Sequence, residues 1–135
     1  MKSIKFLLIA VVLGSTFMAC NKYSKIEKSK DPVYKLNMAD SLYNAGKYRI
    51  AQTLYESLFS SYKGDKKCED LYYKFAYTYY YMGQYKEAEG LFKGYLEVFP
   101  NSSKAEEVDY MRAYSYYKQS PKIDLEQVNT VKAMN

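Results

Sequence analysis

The stretch Ala76-Tyr-Thr-Tyr-Tyr-Tyr-Met-Gly83-Gln-Tyr85 decides the fold, because the chain nearly repeats it. A copy lies 37 residues upstream, Ala39-Asp-Ser-Leu-Tyr-Asn-Ala-Gly46-Lys-Tyr48, and a third opens 37 residues downstream, Ala113-Tyr-Ser-Tyr-Tyr-Lys-Gln-Ser120. The same interval carries Ala51 onto Ala88, Tyr55 onto Phe92 and Leu58 onto Tyr95. Self-similarity at such a period marks an array of supersecondary units that stack to share one core.

Each unit reads as a pair of helices. In the first, Asp31 before Pro32 offers an N-cap followed by a residue whose missing N–H costs nothing in the first turn. The spacing predicts a helix to about Ala45, a break at Gly46 and a second helix over about Tyr48–Tyr62. The second unit reads as helices over about Glu69–Met82 and Tyr85–Val98, broken at Gly83 and stopped by Pro100. Ser103-Lys-Ala-Glu106 has the spacing of a capping box and opens a third unit, whose first helix runs to about Gln119. Small Ala residues let paired helices approach closely, with Tyr79, Tyr85 and Phe92 filling the space between them.

The spacing of Tyr72, Phe75, Ala76, Tyr79, Gly83, Tyr85, Ala88, Phe92 and Pro100 resembles the tetratricopeptide repeat (TPR). The resemblance implies an all-α solenoid of helical hairpins with about two and a half repeats, over residues 32–68, 69–102 and 103–135. In the first copy Lys35 stands where a large aromatic belongs. The three residues beyond the usual period of 34 fit in the loop Lys63–Cys68. Val131-Lys132-Ala133 reads as the start of the next helix, after a longer connection containing Pro121. Such repeats cannot bury their apolar faces alone, and Met111 and Tyr116 have no partner helix in the sequence. The chain therefore reads as the front part of a longer protein, or as one that completes its core by dimerising.

Upstream of the repeats, Met1–Lys5 is positive, Phe6–Leu13 is apolar, and Met18-Ala19-Cys20 closes the segment. A positive start, a short apolar core and a small boundary residue describe a secretory signal over residues 1–19. Phe6–Ala19 is too short for a bilayer, which takes about 20 apolar residues. The ending resembles a bacterial lipobox, with Phe17 in place of the usual Leu. The resemblance implies that Cys20 becomes a lipidated N-terminus, anchored by more than one acyl chain. Asn21 at the next position implies the outer membrane, and the polar, Lys-rich residues 20–31 read as a flexible tether. Cys68 is left as a lone thiol and reads as an ordinary small residue near a loop.

Composition closes off other classes. The chain has 20 Lys+Arg against 15 Asp+Glu, a net +5 that falls to +3 once Lys2 and Lys5 leave with the signal. That is too mild to argue for nucleic acid. With no His, Ser/His/Asp and Cys/His arrangements are impossible and the commonest metal ligand is missing. Glu87/Glu89 and Glu106/Glu107 sit at spacings that do not share a helix face. No catalytic residue, metal site or cofactor is therefore assigned, and the chain reads as a binding protein rather than an enzyme. If Ala39/Leu42 and Ala76/Tyr79 face the second helix of each pair, the neighbouring stripe lines a hollow. That stripe contains Asp40 and Tyr43, then Tyr73, Tyr77 and Tyr80 with Tyr81 adjacent, then Tyr110, Tyr114 and Tyr117. Tyr offers large contact area, low entropy cost and a hydroxyl for the backbone of an extended peptide. Core filling is the competing account of these rings.

The lipobox, the tether and the aromatic repeats together resemble the BamD family of outer-membrane assembly lipoproteins. Ala113-Tyr-Ser-Tyr-Tyr-Lys-Gln-Ser-Pro121, with the long insertion before Val131, carries the likeness furthest. The resemblance implies a non-enzymatic place in the β-barrel assembly machinery, on the periplasmic face of the outer membrane. It implies a BamA-type barrel subunit and unfolded outer-membrane proteins as partners, the latter recognised through a C-terminal aromatic signal. A generic periplasmic TPR scaffold is the second reading, and an accessory subunit for saccharide uptake is the third.

Overall fold

In the computed structural model, residues 23–120 and 132–134 are described. The signal segment 1–19, Cys20, Asn21, Pro121 and Val131 lie outside the described residues, and so do the roles expected of them. The first helix, α1 (Pro32–Asn44), opens as its sequence requires. One carboxylate oxygen of Asp31 accepts from the N–H groups of Val33 (2.9 Å) and Tyr34 (3.1 Å), and Pro32 occupies the first turn. Four more helices follow: α2 (Tyr48–Glu56), α3 (Lys67–Tyr81), α4 (Tyr85–Val98) and α5 (Ala105–Gln119). The glycines at both predicted breaks have positive φ, 71° at Gly46 and 75° at Gly83. Each reverses the chain within a tight turn that side chains with a Cβ adopt at a cost.

Each helix packs on the next, α1 on α2 through to α4 on α5, giving an all-α, TPR-like solenoid. The residues paired by the 37-residue interval are its core. Ala39 and Ala76 are sealed, as are Ala51 and Ala88, Tyr55 and Phe92, and Leu58 and Tyr95. Two apolar clusters result, one around Leu54 and Tyr55, the other around Phe92 and Tyr95. Helix α3 serves both, giving Leu71 and Phe75 to the first and Ala76 and Tyr77 to the second. Tyr79 is half-buried and packs against both, with its ring 5.3 Å from that of Phe75.

Three expectations need correction. The second helix stops at Glu56 instead of reaching Tyr62. The Ser57 hydroxyl donates to the Leu54 carbonyl (2.8 Å), and the backbone tightens into three-residue turns, Leu58 to Tyr55 and Ser61 to Leu58. Leu58 and Tyr62 remain buried along this turn-rich path. The capping box at Ser103 does not form: α5 starts after Lys104 with no side-chain cap of its own. Ser102 takes the local role, accepting from the Lys104 N–H while donating to Glu69 on α3. The flexible tether is also too simple. Residues 23–27 are helical, Ile26 is 3% exposed within the first cluster, and Tyr23 accepts from Lys47 Nζ at 2.8 Å. A single apolar residue in a Lys-rich stretch has no periodicity to betray it.

Removing a buried Ile side chain leaves a cavity and forfeits its transfer free energy. Ile26→Ala should therefore cost about 2 kcal/mol in urea unfolding, whereas Lys25→Ala, on the exposed side of the same turn, should change little.

Candidate peptide-binding groove

All seven rings expected to line the hollow fall into one connected aromatic network. It starts on α1 with Tyr43, whose ring centroid is 6.1 Å from that of Tyr81 at the end of α3. Tyr81 reaches Tyr77 (5.7 Å), and Tyr77 reaches Tyr73 (4.7 Å) and Tyr80 (6.3 Å). Tyr80 crosses to Tyr114 on α5 at 6.3 Å. There Tyr110, Tyr114 and Tyr117 stand nearly parallel, 5.9 and 5.8 Å apart, with interplanar angles of 8° and 19°. Spacings of three and four residues put these rings on one helix face. The ladder thus spans the first helix of each of three successive pairs.

The seven residues are not equivalent. Tyr110 and Tyr117 are 63% and 58% exposed, and Tyr43, Tyr73, Tyr80 and Tyr114 are half-buried. Tyr77 is 6% exposed, so its expected place on the groove surface is corrected: it lies beneath the ladder against Phe92, 5.2 Å away. Asp40, placed in the hollow by the sequence, accepts the Tyr55 hydroxyl (2.7 Å) and pairs with Lys74 Nζ (3.0 Å). Tyr48 was missed. It stacks on Tyr81 at 4.7 Å and 21°, and touches Tyr43. The signal was in the sequence: Tyr48 and Tyr85 both lie two residues beyond a positive-φ glycine, and Tyr85 meets Tyr80 at 5.4 Å. Tyr81 had its signal too, since four residues separate it from Tyr77.

Polar contacts fix the ladder from below. Tyr73 and Tyr77 both donate to the same oxygen of Glu107 on α5, at 2.7 and 2.6 Å. Their hydroxyls are therefore committed to the solenoid, not held out for a peptide backbone. Lys74 bridges Asp40 and Asp70, and Lys104 pairs with Asp70 at 2.8 Å while lying 4.3 Å above the Tyr73 ring. The two phenol donors, Tyr77 first, hold the Glu107 carboxyl below its ordinary value. Burial, then the Glu107 bond, pushes the Tyr73 hydroxyl up to about 12. Burial alone would raise Asp70, but the two lysines outweigh it and leave the carboxyl below its usual value. An aromatic strip thus runs beside charged groups that pair with one another.

The strip lies along a TPR-like, all-α solenoid, a fold of the helical-repeat class. Residues 27–135 match the profile of an outer membrane lipoprotein family, YfiO, and the chain belongs to that family. Membership supports an outer-membrane location. No individual curated protein matches the chain.

A carboxyl held low in the folded state contributes stability above its unfolded value and loses it as pH falls through the folded one. For Glu107 that loss begins as pH drops below about 4.5. In urea titrations Glu107→Gln should be less stable than the parent at pH 7, and the gap should shrink as pH falls below that value. A gap that stays constant down to pH 2 would contradict the Glu107 assignment.

Proposed function

We propose that this chain is a non-enzymatic lipoprotein of the β-barrel assembly machinery. Its tyrosine ladder binds unfolded segments of outer-membrane proteins ahead of their insertion. Cys20 carries the lipid that holds it on the periplasmic face of the outer membrane, and a BamA-type barrel subunit is its standing partner. The observation that carries the reading is the ring network running without interruption from Tyr43 to Tyr117. An extended polypeptide crossing three helices meets a ring at every step, and rings already packed together lose little side-chain freedom on binding. Family membership supplies the membrane context. A scaffold for other envelope complexes, the second reading, would use the same surface for a folded partner.

Peptides ending in Phe or Trp should bind, and Tyr110→Ala with Tyr117→Ala should weaken them about tenfold, since each exposed aromatic contact is worth about 0.5–1.5 kcal/mol. The unfolding midpoint should hold, because both rings are exposed. Unaltered peptide affinity in this double variant removes the ladder from the binding role. Separately, Cys20→Ala should move the protein from the membrane pellet to the soluble fraction after lysis and centrifugation.

A further inference from the structure

A second concave surface lies away from the ladder and shares no residue with it. It is a hollow of about 660 Å³ between the α2–α3 connection and the C-terminal end of α4. That volume falls within the range of small-molecule sites, about 300–1,000 Å³. Phe59, Cys68, Tyr72, Val98 and Phe99 line it, and Lys63, Asp65 and Lys66 come from the connection at its rim. Phe59 and Phe99 each pack edge-on against Tyr72, at 5.6 and 6.3 Å, which holds the walls apart. Val98, at the mouth, is a large apolar residue left 59% exposed.

We propose that this hollow takes the alkyl chain of a fatty acid, with Lys63 and Lys66 holding the carboxylate. The walls are almost entirely carbon. A polypeptide entering them would bring backbone amides that need partners, whereas an alkyl chain brings none. At the rim the charge is asymmetric. The Asp65 carboxylate already accepts the Lys67 N–H at 2.8 Å. Lys63 and Lys66 are exposed and join no ion pair among the described residues. Two unpaired ammonium groups beside an apolar hollow are complementary to a single negative head on an apolar tail.

Cys68 supplies a reporter inside the site, because it is a wall residue, half-buried and free. In the chain carrying Cys20→Ser it is the sole thiol. Octanoate, decanoate and dodecanoate, each below its micelle concentration, should slow iodoacetamide alkylation of Cys68. Affinity should tighten about fourfold per added methylene until the hollow is full. Lys63→Glu with Lys66→Glu, both on the surface, should weaken dodecanoate at least tenfold and leave the unfolding midpoint unchanged. Tyr110→Ala should have no effect. Several outcomes would overturn the proposal: no protection at any chain length, protection independent of length, or equal protection by dodecanol. Protection by an apolar peptide but not by dodecanoate would do so too, as would protection that grows with protein concentration alone.

Discussion

Phenol hydroxyls set the terms on which this solenoid can form. With 18 tyrosines in 135 residues, the helix pairs cannot close without drawing O–H groups out of water. A buried hydroxyl left without a partner costs about 1–3 kcal/mol. Four phenols meet this demand with three carboxylates, each from a different helix: Tyr55 with Asp40, Tyr95 with Glu69, and Tyr73 and Tyr77 with Glu107. Because donor and acceptor never share a helix, every such bond also fixes how two helices cross. Hydrogen bonds to charged groups are worth about 1.5–3 kcal/mol. The part-buried Lys74 and Lys104 pairs tie the same helices alongside them.

Three contacts between neighbouring repeats reveal its register. Equivalent residues recur every 37 positions, yet the inter-repeat contacts bind residues 34 apart: Lys74 to Asp40, Lys104 to Asp70, Tyr73 to Glu107. The difference of three residues is nearly one helical turn. A residue on one inner helix thus meets, on the next, the position a turn before its own counterpart. Tyr77, the counterpart of Asp40, reaches Glu107, 30 residues on and seven before its own counterpart Tyr114. Tyr80, one turn further on, is left to meet Tyr114. The stagger joins the α3 stripe to the α5 stripe, while Tyr43 meets Tyr81, 38 residues on, to complete the ladder.

The sequence displayed whatever was periodic or local. The alanines, the two glycine breaks and the Asp31 cap could be read because each acts within one turn or recurs at one interval. What escaped depended on a partner far along the chain. Ser102 rather than Ser103 took the helix start because Glu69, 33 residues away, holds the Ser102 hydroxyl. Tyr77 sank beneath the surface because its ring packs against Phe92 on the following helix. Ile26 is one apolar side chain among lysines, and only the pocket it fills gives it meaning. Six of the seven expected groove positions lie at least partly at the surface, and the exception is the one whose ring packs against Phe92. Tyr48 could have been read, since it repeats as Tyr85 two residues after a positive-φ glycine.

Binding by such a surface follows from what its rings are no longer free to do. Tyr73 and Tyr77 are tied by Glu107, and Tyr110 and Tyr117 are stacked on either side of Tyr114. Ordering a side chain on association costs about 0.5–1.5 kcal/mol, and here most of that ordering precedes any ligand. Attraction to the strip therefore rests on ring contact rather than on charge. Ring contact accepts many sequences, because nearly every polypeptide offers apolar or aromatic side chains at intervals. The role proposed for this surface, meeting many different unfolded chains, needs that tolerance, and a set of loose side chains would not provide the order.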